Sequence, residues 1–331
     1  MSNARKQWRC WPIRIGDSFS RQIQYIMQSK KTSLSIPQRK AFYYARGVDH
    51  PAFFLEMRLG KTRLTIRDFQ VEKLEPVLIV APYSALYGWT EELKLMGYHK
   101  NDINHILGTR AARERQLRRL SPVNLINREA HLSCPNLGSF GWRGVVFDES
   151  TSIKAPPKMN WSKKFDKRPN ISRFYTENFR HVHRRYILTG TPMPESQLDL
   201  FQQFKFLDPQ IFAPYDNYYQ FRNKLFVKTD FNDWIATQEG EEFIHQRLAQ
   251  FCFFMTRKQA GIGGRKIYER RVFQLPKKIR KAYKTLANDF ILEYEKENNQ
   301  DILRCTDHTV VRWLWLRYLC SGFLADEKAL I

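Results

Sequence analysis

The 331-residue sequence has no run of about 18 apolar residues, which excludes a membrane-spanning helix and a membrane partner. Its N-terminal stretch mixes Arg and Lys with Trp and Pro and lacks the apolar core of a secretory leader, so export is not expected. Cysteine is scarce: Cys10, Cys134, Cys252, Cys305 and Cys320 form no CxxC pair and no Cys/His cluster. That scatter argues against a disulfide framework or a structural zinc site and fits a reducing, intracellular compartment. No internal repeat or low-complexity tract stands out, and acidic residues are in deficit.

What is present is a large apolar content and a strong positive charge. With 24 Phe, 15 Tyr and 8 Trp in a chain that is 43% hydrophobic, there is enough apolar surface for a core, and intrinsic disorder is excluded. The length allows two structural units, or one large unit with an insertion. The 55 basic and 33 acidic residues leave a net charge of +22, a field that attracts polyanions. The charge is clustered in residues 154–185 and 257–284. Trp161, Phe165, Tyr268 and Tyr283 are interleaved there, a pattern suited to a nucleic-acid phosphate backbone. Solvated basic surface is the alternative.

Short apolar runs alternate with amphipathic stretches through the first 200 residues. Val77–Ala81, Val123–Asn127, Gly144–Asp148 and Tyr186–Thr189 read as buried strands. Lys61–Glu72, Ser84–Met96, Arg110–Leu120 and Arg173–His183 read as helices between them. The alternation predicts an α/β fold with a doubly wound parallel sheet. From Pro194 the pattern predicts a mostly helical lobe, with helices near 196–206, 215–226, 241–254, 277–297 and 309–321. A strand is expected at Lys266–Phe273, and Gly261–Gly264 reads as a loop.

Three segments carry chemistry. Leu59-Gly60-Lys61-Thr62 supplies a glycine for close phosphate approach, a lysine for the phosphates and a hydroxyl for Mg²⁺, although Leu55 stands where a full P-loop pattern has its first glycine. Asp148-Glu149 ends an apolar strand, where an α/β sheet places ligand chemistry. There Asp148 can hold Mg²⁺ and Glu149 can deprotonate an attacking water. An ordinary acidic turn is the alternative. Thr189-Gly190-Thr191 follows another strand as a hydroxyl-rich turn, or as a plain β-turn.

In order and spacing these segments resemble the Swi/Snf-type helicase-like ATPases of superfamily two, especially the compact phage and bacterial forms. Ile36–Ala41 is similar to the Q-motif region, which implies that Gln38 meets adenine. Glu56–Thr62 resembles motif I, and Val77–Pro82 through Trp89 and Leu93 resembles motif Ia. Leu125–Asn127 is similar to motif Ib, Asp148–Ser150 with Ile153-Lys154 to motif II, and Leu188–Pro192 to motif III. Phe206–Pro209 and Phe254–Arg257 also follow the family pattern.

The resemblance implies a RecA-like ATP-binding domain over 34–193, after an N-terminal segment 1–33. A helical lobe over 194–331 would lead towards a second RecA-like lobe or a partner chain. It implies ATP and Mg²⁺, with Gln38, Leu59, Gly60, Lys61 and Thr62 around the nucleotide and Thr62 and Asp148 at the metal. Lys61, Asp148 and Glu149 would be catalytic, and Thr189, Gly190 and Thr191 would couple nucleotide state to DNA grip. Pro82, Tyr83, Ser84, Arg128 and Lys154 would face duplex DNA, held without base-specific readout in the cytoplasm of a bacterial or phage-infected cell, at the nucleoid.

Arg58 replaces the usual glycine of motif I, Arg128 stands where tyrosine is common, and motif II lacks its histidine. No arginine motif of a second lobe follows. The implied activity is DNA translocation driven by ATP hydrolysis. The alternative is a non-hydrolysing ATP- and DNA-binding half-motor completed in trans. A P-loop kinase or GTPase would leave Thr189–Pro192 without a role.

Overall fold

The computed structural model describes residues 33–156, 170–230, 233–262, 268–289, 291–295, 301–305 and 309–321. The chain forms two compact units, one through Gly263 and one from Gly264. In the first unit the strands are β1 (Ala52–Leu55), β2 (Val77–Ala81), β3 (Ile103–Ile106), β4 (Val123–Asn127), β5 (Gly144–Asp148), β6 (Arg184–Leu188), the short β7 (Phe226–Lys228) and β8 (Trp234–Ala236), and β9 (Cys252–Met255). The helices are α1 (Ile36–Ala45), α2 (Lys61–Val71), α3 (Leu86–Leu95), α4 (Arg110–Leu117), α5 (Ile171–Asn178), α6 (Leu200–Leu207), α7 (Tyr218–Leu225) and α8 (Gln238–Phe251).

Seven strands form one sheet in the order β3-β4-β2-β5-β6-β1-β9, with every pairing parallel. Successive side chains of a strand point to opposite faces, and here both faces are covered. Ala52, Phe54, Leu78, Val80, Val145 and Phe147 enter one apolar cluster with Phe174 and Tyr175 of α5 and Phe201 and Phe204 of α6. Phe53, Leu55, Val77, Ile79, Ala81 and Val146 enter the other, with Phe42 of α1, Leu64 and Phe69 of α2, and Trp89 and Leu93 of α3. The expected parallel α/β sheet is therefore present.

A buried ionic network ties α1, α2 and β6 on the second face. Asp68 of α2, with a fully buried side chain, pairs with Arg46 and accepts from Arg184 Nε at 3.1 Å and Tyr186 Oη at 2.7 Å. Arg185 is held by the carbonyls of Leu207, Arg180 and Val182. These partners explain why β6 begins at Arg184 rather than at the expected Tyr186: both arginines are satisfied inside the protein.

Several other expectations are corrected. Residues 252–254, read as the end of a helix, form β9 with Met255 beside β1. A short apolar run fits either element, and here the free edge of β1 supplies the hydrogen-bonding partner. The compact unit that holds the sheet runs to Gly263. The stretch 194–251 leaves the sheet after β6 and returns to it at β9. It also carries the antiparallel β7–β8 hairpin, so it is not purely helical. The polar edge strand β3 went unread, and α5 ends at Asn178, short of His183.

The second unit contains α9 (Lys277–Asp289), a hairpin of β10 (Ile291–Glu295) with β11 (Asp301–Cys305), and α10 (Thr309–Cys320). Ala282, Leu286, Trp315, Leu316 and Leu319 form its core. The helix expected over 277–297 therefore stops at Asp289, where the alternation Ile-Leu-Glu-Tyr-Glu pairs with β11. Residues 268–276 form no strand, and Tyr268, Val272 and Phe273 are exposed. The segment 1–32, Trp161 and Phe165 with half of the basic residues of the first cluster, and the start of the expected 266–273 strand lie outside the described residues. Among the described residues no helix is long and apolar enough to cross a membrane.

Candidate active site

Because all seven main strands run in parallel, the loops that follow β1, β2, β4, β5, β6 and β9 emerge at one edge, the C-terminal edge where such sheets bind ligands. That edge gathers the segments singled out in the sequence.

Residues 56–60 connect β1 to α2. Gly60 is the N-cap of α2 at φ +74°, and no side chain caps the helix, so its first N–H groups face the loop. An added Cβ at Gly60 would lie 2.0 Å from Nε2 of Gln38, so only glycine fits here. Gln38 is itself fixed at both ends of its amide. Its Oε1 accepts from Ser35 N at 2.7 Å and its Nε2 donates to Gly60 O at 3.0 Å. Pro37, in the first turn of α1, costs no helical hydrogen bond. Lys61 Nζ donates to Leu55 O at 2.9 Å across the loop. Burial lowers the Lys61 pKa, opposed by the charges of Glu149 and Asp148. Leu59 is buried, and Arg58 is exposed at φ +69°, a conformation that suits the glycine it replaces.

Asp148 ends β5. Its Oδ1 accepts from Glu149 N at 3.0 Å and its Oδ2 from Trp89 Nε1 at 2.8 Å. Burial raises its pKa, and the Trp89 and Glu149 hydrogen bonds and Lys61 oppose the rise. Glu149 sits in the left-handed region at φ +50°, a cost of about 1–3 kcal/mol for a non-glycine residue and a feature that clusters at functional sites. Its pKa is raised by burial and by the neighbouring Asp148. Thr189 Oγ1 donates to Glu149 Oε2 at 3.5 Å, and Thr191 N donates to Thr189 Oγ1 at 3.2 Å. Gly190 lies against Met57, its hypothetical Cβ 3.5 Å from Met57 Cγ, which brings this turn to the loop after β1.

Two further residues also serve the site: Gln203, which was not singled out, and Glu56, which begins the motif I segment but had no role of its own. Gln203 of α6, fully buried, accepts from Ser150 Oγ at 2.7 Å and donates to Pro192 O at 2.8 Å, joining the segments after β5 and β6. Its signal was a Gln-Gln pair in a helix whose other residues, Lys205 apart, are apolar. Glu56 donates its N–H to Met255 O at 3.0 Å and accepts from Arg257 N at 2.8 Å, anchoring the loop to β9.

The residues expected to face DNA are more dispersed. After Pro82, Tyr83 and Ser84 are exposed in a short 3-10 turn leading into α3, with Tyr87 also exposed on the helix. Arg128 follows β4 and pairs with Glu129 at 2.9 Å. Lys154 is engaged with Glu195 at 2.5 Å and Asp199 at 3.6 Å.

The donor set suits a magnesium nucleotide. Mg²⁺ is a hard cation usually held by one or two carboxylates and substrate phosphates, and Asp148 and the Thr62 hydroxyl are oxygen donors of that kind. The glycine cradle at Gly60 and the uncapped start of α2 suit phosphate.

Residues 23–309 match the SNF2-related domain family. The chain is 25% identical over 198 residues to the chromatin-remodeling ATPase INO80 of Vanderwaltozyma polyspora, covering 55% of this chain and 11% of that protein. It is 27% identical over 210 residues to the DNA annealing helicase and endonuclease ZRANB3 of Mus musculus, covering 60% and 18%. The chain thus spans less than a fifth of either relative. The Sulfolobus solfataricus SWI2/SNF2 ATPase core, solved in complex with dsDNA, superimposes with a TM-score of 0.55 at 24% identity, covering 70% of this chain and 46% of that one. That likeness establishes the RecA-like fold of the sheet.

Proposed function

Since the chain belongs to the SNF2-related domain family, we propose that it binds ATP with Mg²⁺ at the edge described above and couples ATP hydrolysis to movement on duplex DNA. The observation that carries this reading is the convergence of the Gln38–Gly60 pair, Lys61, the Asp148-Glu149 carboxylates and Thr189 on one sheet edge. Gln38 and Leu59 flank the nucleotide, Gly60, Lys61 and Thr62 hold its phosphates, and Thr62 and Asp148 hold the metal. Bound Mg²⁺ supplies charge neutralisation and polarisation of the phosphoryl oxygens. Glu149 orients the attacking water and accepts its proton, a role suited to a carboxylate whose proton affinity is raised. Thr189, hydrogen-bonded to Glu149 and backed by Gly190 and Thr191, transmits the state of the site to the segment after β6.

Pro82, Tyr83, Ser84, Arg128 and, once released from Glu195, Lys154 contact DNA phosphates without reading bases, which the net charge of +22 supports. A second RecA-like lobe, in the same polypeptide or a partner chain, closes the cleft and supplies an arginine finger. Its lack costs phosphoryl transfer about 10³–10⁵ in rate. The reading extends to a nucleoid-associated protein in the cytoplasm of a bacterial or phage-infected cell, on the resemblance to compact forms from those sources.

The test is equilibrium ATP binding together with steady-state hydrolysis, with and without duplex DNA, for the wild type, Lys61→Ala and Glu149→Gln. Lys61→Ala is expected to weaken ATP binding by about 10–100-fold, the scale of a charge-assisted hydrogen bond, and to spare DNA binding. Glu149→Gln is expected to bind ATP and lose DNA-stimulated turnover. Unchanged turnover in either variant would refute the site, and ATP binding without turnover in the wild type would identify a half-motor.

A further inference from the structure

Trp89 of α3 and Asp148 at the end of β5 meet in a buried hydrogen bond. Trp89 lies on α3, 2% exposed, within the apolar cluster of Leu86 and Leu93. Its indole nitrogen can only donate, so the 2.8 Å contact to Asp148 Oδ2 has one direction. Asp148, 9% exposed, has its other oxygen held by the N–H of Glu149. One donor therefore comes from the carboxylate's own strand end and the other from a neighbouring helix, and together they set the carboxylate plane. A phenylalanine would fill most of the same apolar space. The indole N–H is the part that packing does not require.

We propose that Trp89 is the positioning residue of the metal site: its indole N–H holds Oδ2 of Asp148, leaving the carboxylate's remaining lone pairs directed to Mg²⁺ and making α3 part of that site. This rests on the assignment of Asp148 to the metal given above. The N-terminal turns leading into and starting α3 carry the exposed Tyr83, Ser84 and Tyr87, so that surface and the donor to the carboxylate adjoin on one stretch of chain. Partners that orient a metal ligand in this way typically contribute 10–100-fold to metal affinity.

The experiment is calorimetric titration of the full chain with ADP, in Mg²⁺ and in EDTA, for the wild type, Trp89→Phe and Asp148→Asn. It reads metal-dependent affinity without any turnover. Trp89→Phe should reduce the gain in ADP affinity conferred by Mg²⁺ by about 10-fold and leave the affinity in EDTA within twofold. Benzothienylalanine at position 89, with sulfur in place of the N–H at nearly constant volume, should give the same split and guards against a folding defect in the phenylalanine variant. If Asp148→Asn removes the Mg²⁺ gain while both position-89 variants keep it, Trp89 only packs and the inference is overturned. Equal losses with and without Mg²⁺ at position 89 would overturn it too. If Asp148→Asn itself keeps the full Mg²⁺ gain, the metal assignment fails and the inference falls with it.

Discussion

Gly60→Ala offers a quantitative check on how the loop after β1 is built. At φ +74° a non-glycine residue costs about 1–2 kcal/mol from its Cβ alone. The new methyl would also occupy the position of the Gln38 amide nitrogen, 2.0 Å from the ideal Cβ. Gln38 cannot yield freely: it is 6% exposed and its amide is hydrogen-bonded to Ser35 N and Gly60 O. Displacing it sacrifices two contacts of about 0.5–1.5 kcal/mol each, so the total cost is about 2–5 kcal/mol. In a Gln38→Ala background the obstacle is gone and only the backbone cost of about 1–2 kcal/mol should remain. Urea denaturation of the four proteins of this cycle measures the difference directly. A coupling energy of about 1–3 kcal/mol between positions 38 and 60 is expected. Strict additivity, with Gly60→Ala costing the same in both backgrounds, would refute the close approach of Gln38 to the loop.

Other perturbations test other parts of the molecule. Asp68→Asn should destabilise the first unit by about 3–5 kcal/mol in urea denaturation, since it leaves Arg46 and Arg184 buried against a neutral group; a loss below about 1 kcal/mol would show that water reaches the network. His50 is held down to about 4 by burial and by Arg185, whereas an unfolded histidine takes its proton near 6.5. The unfolded chain then binds more protons between those values, so stability is full above about pH 6.5 and is lost as pH falls towards 4. His50→Gln should flatten that acid limb by about 1–2 kcal/mol, a figure reduced for partial solvent screening, and an unaltered limb would move the effect elsewhere. Affinity for duplex DNA should fall linearly with the logarithm of salt concentration and be alike for unrelated sequences. Arg128→Ala should lower the slope by about one, and an unchanged slope would remove Arg128 from the interface.

Strands β2, β4 and β5 and the residues Lys61, Asp148 and Glu149 were legible because the physics there is local. A phosphate loop needs its glycine and lysine side by side, and a twice-buried strand needs a continuous apolar run. What escaped reading depends on partners far along the chain. Arg184 and Arg185 look like surface until Asp68 and the Leu207 carbonyl are placed beside them. Cys252–Met255 fits a helix end until the open edge of β1 is known to lie next to it. Gln203 is one more polar residue until its amide is found between Ser150 and Pro192. Lys154 belongs to the same class, since two carboxylates some forty residues away decide what its charge faces.

The anchoring of Glu56 to the end of β9 has a consequence for the order in which the molecule is made. Glu56 and Arg257, joined by a hydrogen bond, are 201 positions apart. At a synthesis rate of about 5–20 residues per second, that separation lasts roughly 10–40 s on the ribosome. β1 can pair with β6 only once residues 184–188 are made, and until β9 follows its other edge stays bare, a row of unsatisfied N–H and C=O groups open to any passing strand. The loop proposed to hold phosphate is thus encoded early in the chain and completed among the last parts of its unit, and its nascent form is exposed to aggregation for as long as the ribosome takes to reach residue 257.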